Sequence, residues 1–170
     1  MDGTLRAFLK TPAGQFLARY VVILVAGFAI MALKPVNDKI INPYTSFVAE
    51  EGAFALRLFG EDARVHNQIL SSSRFAVAIY NGCNGLEAIL IFGCGVLAFP
   101  TPWPRKVLGL LLGFLGIQLF NVVRIVALYY TGVFRPQWFS TAHVLVWQSL
   151  VILFAVSLWV LWVQRYAVKA

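Results

Sequence analysis

A thiol, a guanidinium and an imidazole stand at the edges of apolar stretches in this sequence. Cys83 lies in Asn81-Gly82-Cys83-Asn84-Gly85-Leu86-Glu87, Arg124 inside a long apolar run, and His143 directly after Ser140-Thr141-Ala142. Together these groups can perform nucleophilic acyl transfer. A thiol is a weak nucleophile until a base removes its proton or a cation stabilises the thiolate, and His143 is the candidate base. Attack on a carbonyl leaves negative charge on oxygen, for which the fixed N–H fork of Arg124 is a candidate donor. Backbone N–H groups of Cys83, Asn84 and Gly85 would add a positive helix end beside the thiol if they open a helix. Gln118, Asn121 and Arg124 fall at i, i+3 and i+6, a polar stripe expected to hold the guanidinium. Glu87, one turn after Cys83, could orient Arg124 or His143, or pair with Arg124 for structure alone.

The ordinary readings differ between these residues. A cysteine near a membrane helix is usually a small hydrophobe, and Cys94, between Gly93 and Gly95 in an apolar span, keeps that reading. Eleven residues of helix separate the two cysteines by ~16 Å, too far for a disulfide. His143 alone could be an interfacial histidine, and His66 reads as a solvated surface residue. Cys83 with two histidines could hold zinc, but no ligand spacing supports it; neither a metal nor a cofactor is expected.

The elements that must position these groups are membrane helices. Of 170 residues, 60% are hydrophobic and only 12% charged, with mean hydropathy +0.77. That balance excludes a disordered chain and does not suit a soluble domain. Aromatic residues make up 15%, including five Trp that can anchor helix ends at the interface. The net charge of +7 comes from scattered Lys and Arg, not a basic stripe, so nucleic acid is not an expected partner. Apolar runs predict an all-α integral membrane protein with about four transmembrane helices, near 16–33, 85–100, 107–130 and 143–163. Arg19 can snorkel at the end of the first, which lengthens it enough to span, and because the small residues before Lys34 form no clean A-x-A site a retained anchor is favoured over a cleaved signal peptide.

Lys and Arg resist translocation. Placing both termini inside puts Arg6, Lys10, Arg19, Arg105, Lys106, Arg165 and Lys169 in the cytoplasm, with Asp2 the one acid there. The segment from 34 to 84 then lies outside as an extracytoplasmic loop subdomain. Phe47, Val48, Phe54, Ala55 and Leu58 predict a helix along the membrane surface. Val65–Leu70 and Phe75–Tyr80 predict a small β-hairpin. On this topology Arg124 lies roughly 25 Å along its helix from Val107, near the outer rim, where Cys83 and His143 also begin or precede helices. Three separate helix ends thus bring the reactive groups to one membrane level.

Two other function classes fit the same composition. A non-enzymatic assembly or scaffold protein would use Arg124 and Glu87 for helix packing. A small transporter would want polar groups at the midplane and repeated halves, and no repeat is visible. P-loop, dinucleotide, H-E-x-x-H and C-x-x-C signatures are absent.

The segments Asn81-Gly82-Cys83-Asn84-Gly85-Leu86-Glu87-Ala88, Leu119-Phe120-Asn121-Val122-Val123-Arg124-Ile125 and Ala142-His143-Val144-Leu145-Val146-Trp147-Gln148 resemble the exosortase and archaeosortase family, most closely its exosortase H branch. The resemblance covers about 34–162. It implies a bacterial inner-membrane cysteine protease and presumed transpeptidase. Its substrates would be surface proteins bearing a C-terminal signal: a short motif of the I-P-T-L-x-x-W-G type, a transmembrane helix and a basic tail. The family's Cys, Arg and His map onto Cys83, Arg124 and His143. Asn81, Asn84, Glu87, Asn121 and Trp147 become candidates for lining or supporting a cleft open to lipid, whose acceptor is water or an amine.

Overall fold

The computed structural model describes residues 7–167; Asp2, Arg6 and Lys169, assigned above to the cytoplasm, lie outside them. Helix α1, Pro12–Met31, is opened by Thr11, whose side chain accepts from the Gly14 N–H at 3.0 Å, with Pro12 at the first helical position. A helical turn Lys34–Val36 and a π-helical turn Asn37–Ile41 lead into α2, Asn42–Leu58. Three short strands follow, β1 Arg64–His66, β2 Ile69–Ser71 and β3 Ala76–Ala78. The remainder is helical: α3 Leu86–Ala98, α4 Trp103–Phe134, and a long rod α5, Pro136–Ala167.

Helices α1, α4 and α5 are long and apolar enough to cross a membrane. Helix α3 is apolar but has 13 residues, about 20 Å against a hydrocarbon core of ~30 Å. It packs against all three long helices. The core between them contains Ala88, Phe92, Val96, Ile117, Val151 and Ala155, and small residues let backbones approach. The tightest approach is Gly113, where an added Cβ would sit 1.9 Å from Phe92 Cε1. Gly113→Val is therefore expected to destabilise the fold by about 1–3 kcal/mol. A thermal unfolding midpoint in detergent equal to that of the wild type would refute this packing.

Helix α2, the helix expected in the loop, packs against α4. Tyr44 Oη donates to Gln118 Oε1 at 2.6 Å near one end, and an added Cβ at Gly52 would meet Ile125 Cγ2 at 2.7 Å further along. Ala49, Gly52 and Ala53 are buried and small, so α2 packs closely on α4, while Phe47, Phe54 and Leu58 remain exposed. The expected hairpin is a three-stranded antiparallel sheet in the order β1-β2-β3. The run read as one strand, Val65–Leu70, turns back at Asn67, whose φ of 58° is a left-handed conformation that Asn tolerates. Tyr129 Oη donates to Glu61 Oε2 at 2.9 Å and contacts Ser72 Oγ, while Arg74 bridges Glu61 at 2.8 Å. These bonds fasten the sheet to the end of α4 that leads toward α5.

Candidate active site

Cys83 sits in the turn between β3 and α3. Its N–H donates to the Tyr80 carbonyl at 2.9 Å, and Gly82 and Gly85 take left-handed φ values of 88° and 79°. Both sites therefore need glycine, and at Gly85 a Cβ would also press on Asn121 at 3.1 Å. Asn84 is buried; its Oδ1 accepts from the Leu86 N–H at 3.0 Å and its Nδ2 donates to Thr45 Oγ1 at 2.9 Å. One side chain thus caps α3 and ties the thiol's turn to α2. The helix opens at Leu86, and the Cys83 N–H is already used. The expectation that the Cys83, Asn84 and Gly85 N–H groups open the helix beside the thiol is therefore corrected.

The three reactive groups converge. Cys83 Sγ contacts His143 Nε2, and Arg124 Nη2 lies 3.5 Å from the same sulfur. Arg124 is 1% exposed and has no carboxylate partner among the described residues; it donates to the Gly82 carbonyl from Nη1 at 3.4 Å and to Gln148 Oε1 from Nη2 at 3.2 Å. Phe139 stacks on the His143 ring with centroids 6.2 Å apart. A cavity of about 40 Å³ touches all three groups and is otherwise walled by apolar residues, among them Val77, Ile79, Leu128 and Phe139. A larger groove of about 250 Å³ between α1, α3 and α5 is lined by Phe16, Tyr20, Phe92 and Trp159, away from these groups.

Burial raises the Cys83 thiol above its ordinary pKa; the Arg124 guanidinium pulls it partly back, and the Glu87 carboxylate adds to the rise. A raised pKa means a protonated thiol at neutral pH, so any attack by it would have to be coupled to proton transfer, for which His143 Nε2 is the base in contact. The rate of Cys83 alkylation by iodoacetamide is accordingly expected to keep rising through pH 9. A plateau reached below pH 8 would instead reveal a resting thiolate.

The supporting residues divide. Glu87 reaches Arg124 only through Gln148, whose Nε2 lies 3.5 Å from Glu87 Oε2. Gln118 does not hold the guanidinium: it contacts Glu51 and accepts from Tyr44, both on α2. Asn121 is fully buried against Gly85, and neither end of its amide has a partner among the described residues. Trp147 packs against Phe120 at 6.1 Å and is not in the wall of the cavity beside the thiol. Asn81 is exposed, on a cavity with Glu87 and Asn37 behind the turn.

Gln148 is the contact that the sequence reading left out. On a straight α-helix, residues five apart point about 140° away from each other. Here Ala142–Trp147 is π-helical, and i→i+5 bonding stacks residues five apart, which brings His143 and Gln148 to one side. Such turns recur at functional sites, but nothing in hydropathy periodicity marks this one.

No curated protein and no solved structure matches the chain. The family model described as transmembrane exosortase does match it, over residues 6–163. That span contains the turn, the buried guanidinium and the imidazole together with every helix that positions them, and the chain belongs to the transmembrane exosortase family.

Proposed function

We propose that the chain is a membrane-embedded cysteine protease and transpeptidase, with Cys83 as nucleophile, His143 as general base and acid, and Arg124 as oxyanion donor. The observation that carries this reading is the meeting of Cys83 Sγ with His143 Nε2 and Arg124 Nη2. His143 Nε2 takes the thiol proton as Sγ bonds to a peptide carbonyl carbon. The oxygen's new charge faces the guanidinium, which the Gly82 carbonyl and Gln148 hold in place. Collapse breaks the C–N bond, His143 returns the proton to the departing amine, and the acyl part remains as a thioester on Cys83. Water or a second amine attacks the thioester and gives its proton to His143, restoring the thiol.

The substrate class follows from the resemblance: exported surface proteins whose C-terminal signal combines a motif of the I-P-T-L-x-x-W-G type, a transmembrane helix and a basic tail. In the orientation set by Lys and Arg, both termini lie in the cytoplasm of a bacterium and the thiol faces the outer side of its inner membrane. A scission site just outside a membrane helix would meet the thiol there. The test is the intact mass of a reporter carrying this signal, co-expressed with the wild-type chain. Loss of helix and tail is expected, and added mass on the new C-terminus would identify a transferase. An unprocessed reporter across a series of signal motifs would overturn the protease reading.

A further inference from the structure

We propose that the substrate's segment upstream of the scissile bond binds as a fourth strand, parallel to β3, on the open edge of the sheet. This rests on the reading of Cys83 as nucleophile. Strand β3 has β2 as its one neighbour in the sheet. The Gln68–Ile79 and Ser72–Phe75 backbone bonds fix the ladder, with Leu70 opposite Val77. In an antiparallel pair, alternate residues turn their N–H and C=O groups toward the partner. Phe75, Val77 and Ile79 therefore face β2, while Ala76 and Ala78 direct theirs to the free edge. Among the described residues, no backbone bond outside the sheet involves either alanine.

Edges are normally blocked by charge, proline or a bulge. The opposite edge, β1, carries exposed Arg64 and His66; Ala-Val-Ala offers only methyl groups and one inward valine. The open edge is also continuous with the reactive groups, because Val77 and Ala78 line the same cavity as Cys83, Arg124 and His143. Direction follows from α4. Phe75 packs on Gly132, whereas Cys83 meets Arg124, eight residues nearer the start of that helix, a drop of about 12 Å. Strand β3 thus leads down toward the thiol. A polypeptide that enters the membrane C-terminal to its scission site descends the same way, so its N–H and C=O groups run parallel to the edge. Main-chain pairing of this kind gives affinity without demanding one side-chain sequence.

The test is a disulfide cross-linking walk in proteoliposomes. The full chain carries Ala76→Cys with Cys83→Ser and Cys94→Ala, and the reporter carries single cysteines at successive positions upstream of its transmembrane helix. Cross-linking at every second reporter position is expected, since side chains of a paired strand alternate. No cross-link, or a yield without two-residue periodicity, would overturn strand addition. Alternating cross-links without any wild-type processing would keep the docking and remove the protease reading; processing without alternation would do the reverse. In the wild-type background, Ala78→Pro removes one outward N–H while leaving the β2 ladder whole. It is expected to lower kcat/KM roughly tenfold, about one hydrogen bond's worth, with Cys83 alkylation unaffected. Unchanged kcat/KM would count against the pairing.

Discussion

Replacing Cys83 by Ala is expected to abolish removal of the reporter's tail, by about 10³-fold or more, because no other group can take up the acyl part. Cys94→Ala is expected to stay within about twofold of wild type. The second thiol is buried in the middle of α3, between helices and away from His143 and Arg124. Intact mass of the reporter and of the enzyme reads both outcomes, since a trapped thioester adds the mass of the acyl part to wild-type chain alone. Equal processing by the Cys83→Ala chain would sink the nucleophile assignment and favour a scaffold role in which Arg124 and Glu87 serve helix packing. The experiment also separates chemistry from folding. Cys83 is only partly buried and its side chain is small, so its removal leaves the caps made by Asn84 and the packing of Gly85 intact.

Arg124→Lys should cost the reaction about 10²–10³ in kcat with KM little changed, the effect of removing a donor to an oxyanion. The charge is preserved, so this is a prediction about geometry. A guanidinium can hold the Gly82 carbonyl and Gln148 and still present an N–H beside the sulfur; a single ammonium on a flexible stem lacks that fixed fork. Arg124→Gln removes the charge as well. It should slow Cys83 alkylation at neutral pH, because the cation that partly offsets the burial of the thiol is gone. A kcat for Arg124→Lys within threefold of wild type would move the oxyanion role elsewhere. The free candidates are few, since the Cys83 N–H is already committed to Tyr80.

The convergence of Cys83, Arg124 and His143 was legible because a membrane leaves few places for polar groups, and helix rise converts position into depth. Their partners were less legible. Gln118 shares a helical stripe with Arg124, yet it turns to Tyr44 and Glu51 because α2 packs there, a tertiary fact that no spacing within α4 contains. Glu87 and Arg124 were readable as an ion pair, but the π-helical turn after His143 inserts Gln148 between them. The strand count failed at a single residue. Val65 to Leu70 alternates well enough to read as one strand, and only the left-handed backbone at Asn67 divides it. Helical spans, set by hydropathy over many residues, came through as three long apolar helices and one short one.

The shortness of α3 has a consequence for the lipid. A helix of 13 residues falls ~10 Å short of spanning the hydrocarbon layer. A bilayer meets such mismatch by thinning locally, at a cost that grows with each ångström. Because the turn carrying Cys83 leads directly into α3, thinning at that end of the helix would fall beside the sulfur. Acyl-chain length then becomes a variable of the chemistry. If Cys83 carries a thioester as proposed, the partition between its hydrolysis and its transfer to an amine is expected to shift with membrane thickness, which reporter product ratios in liposomes of graded acyl-chain length would measure.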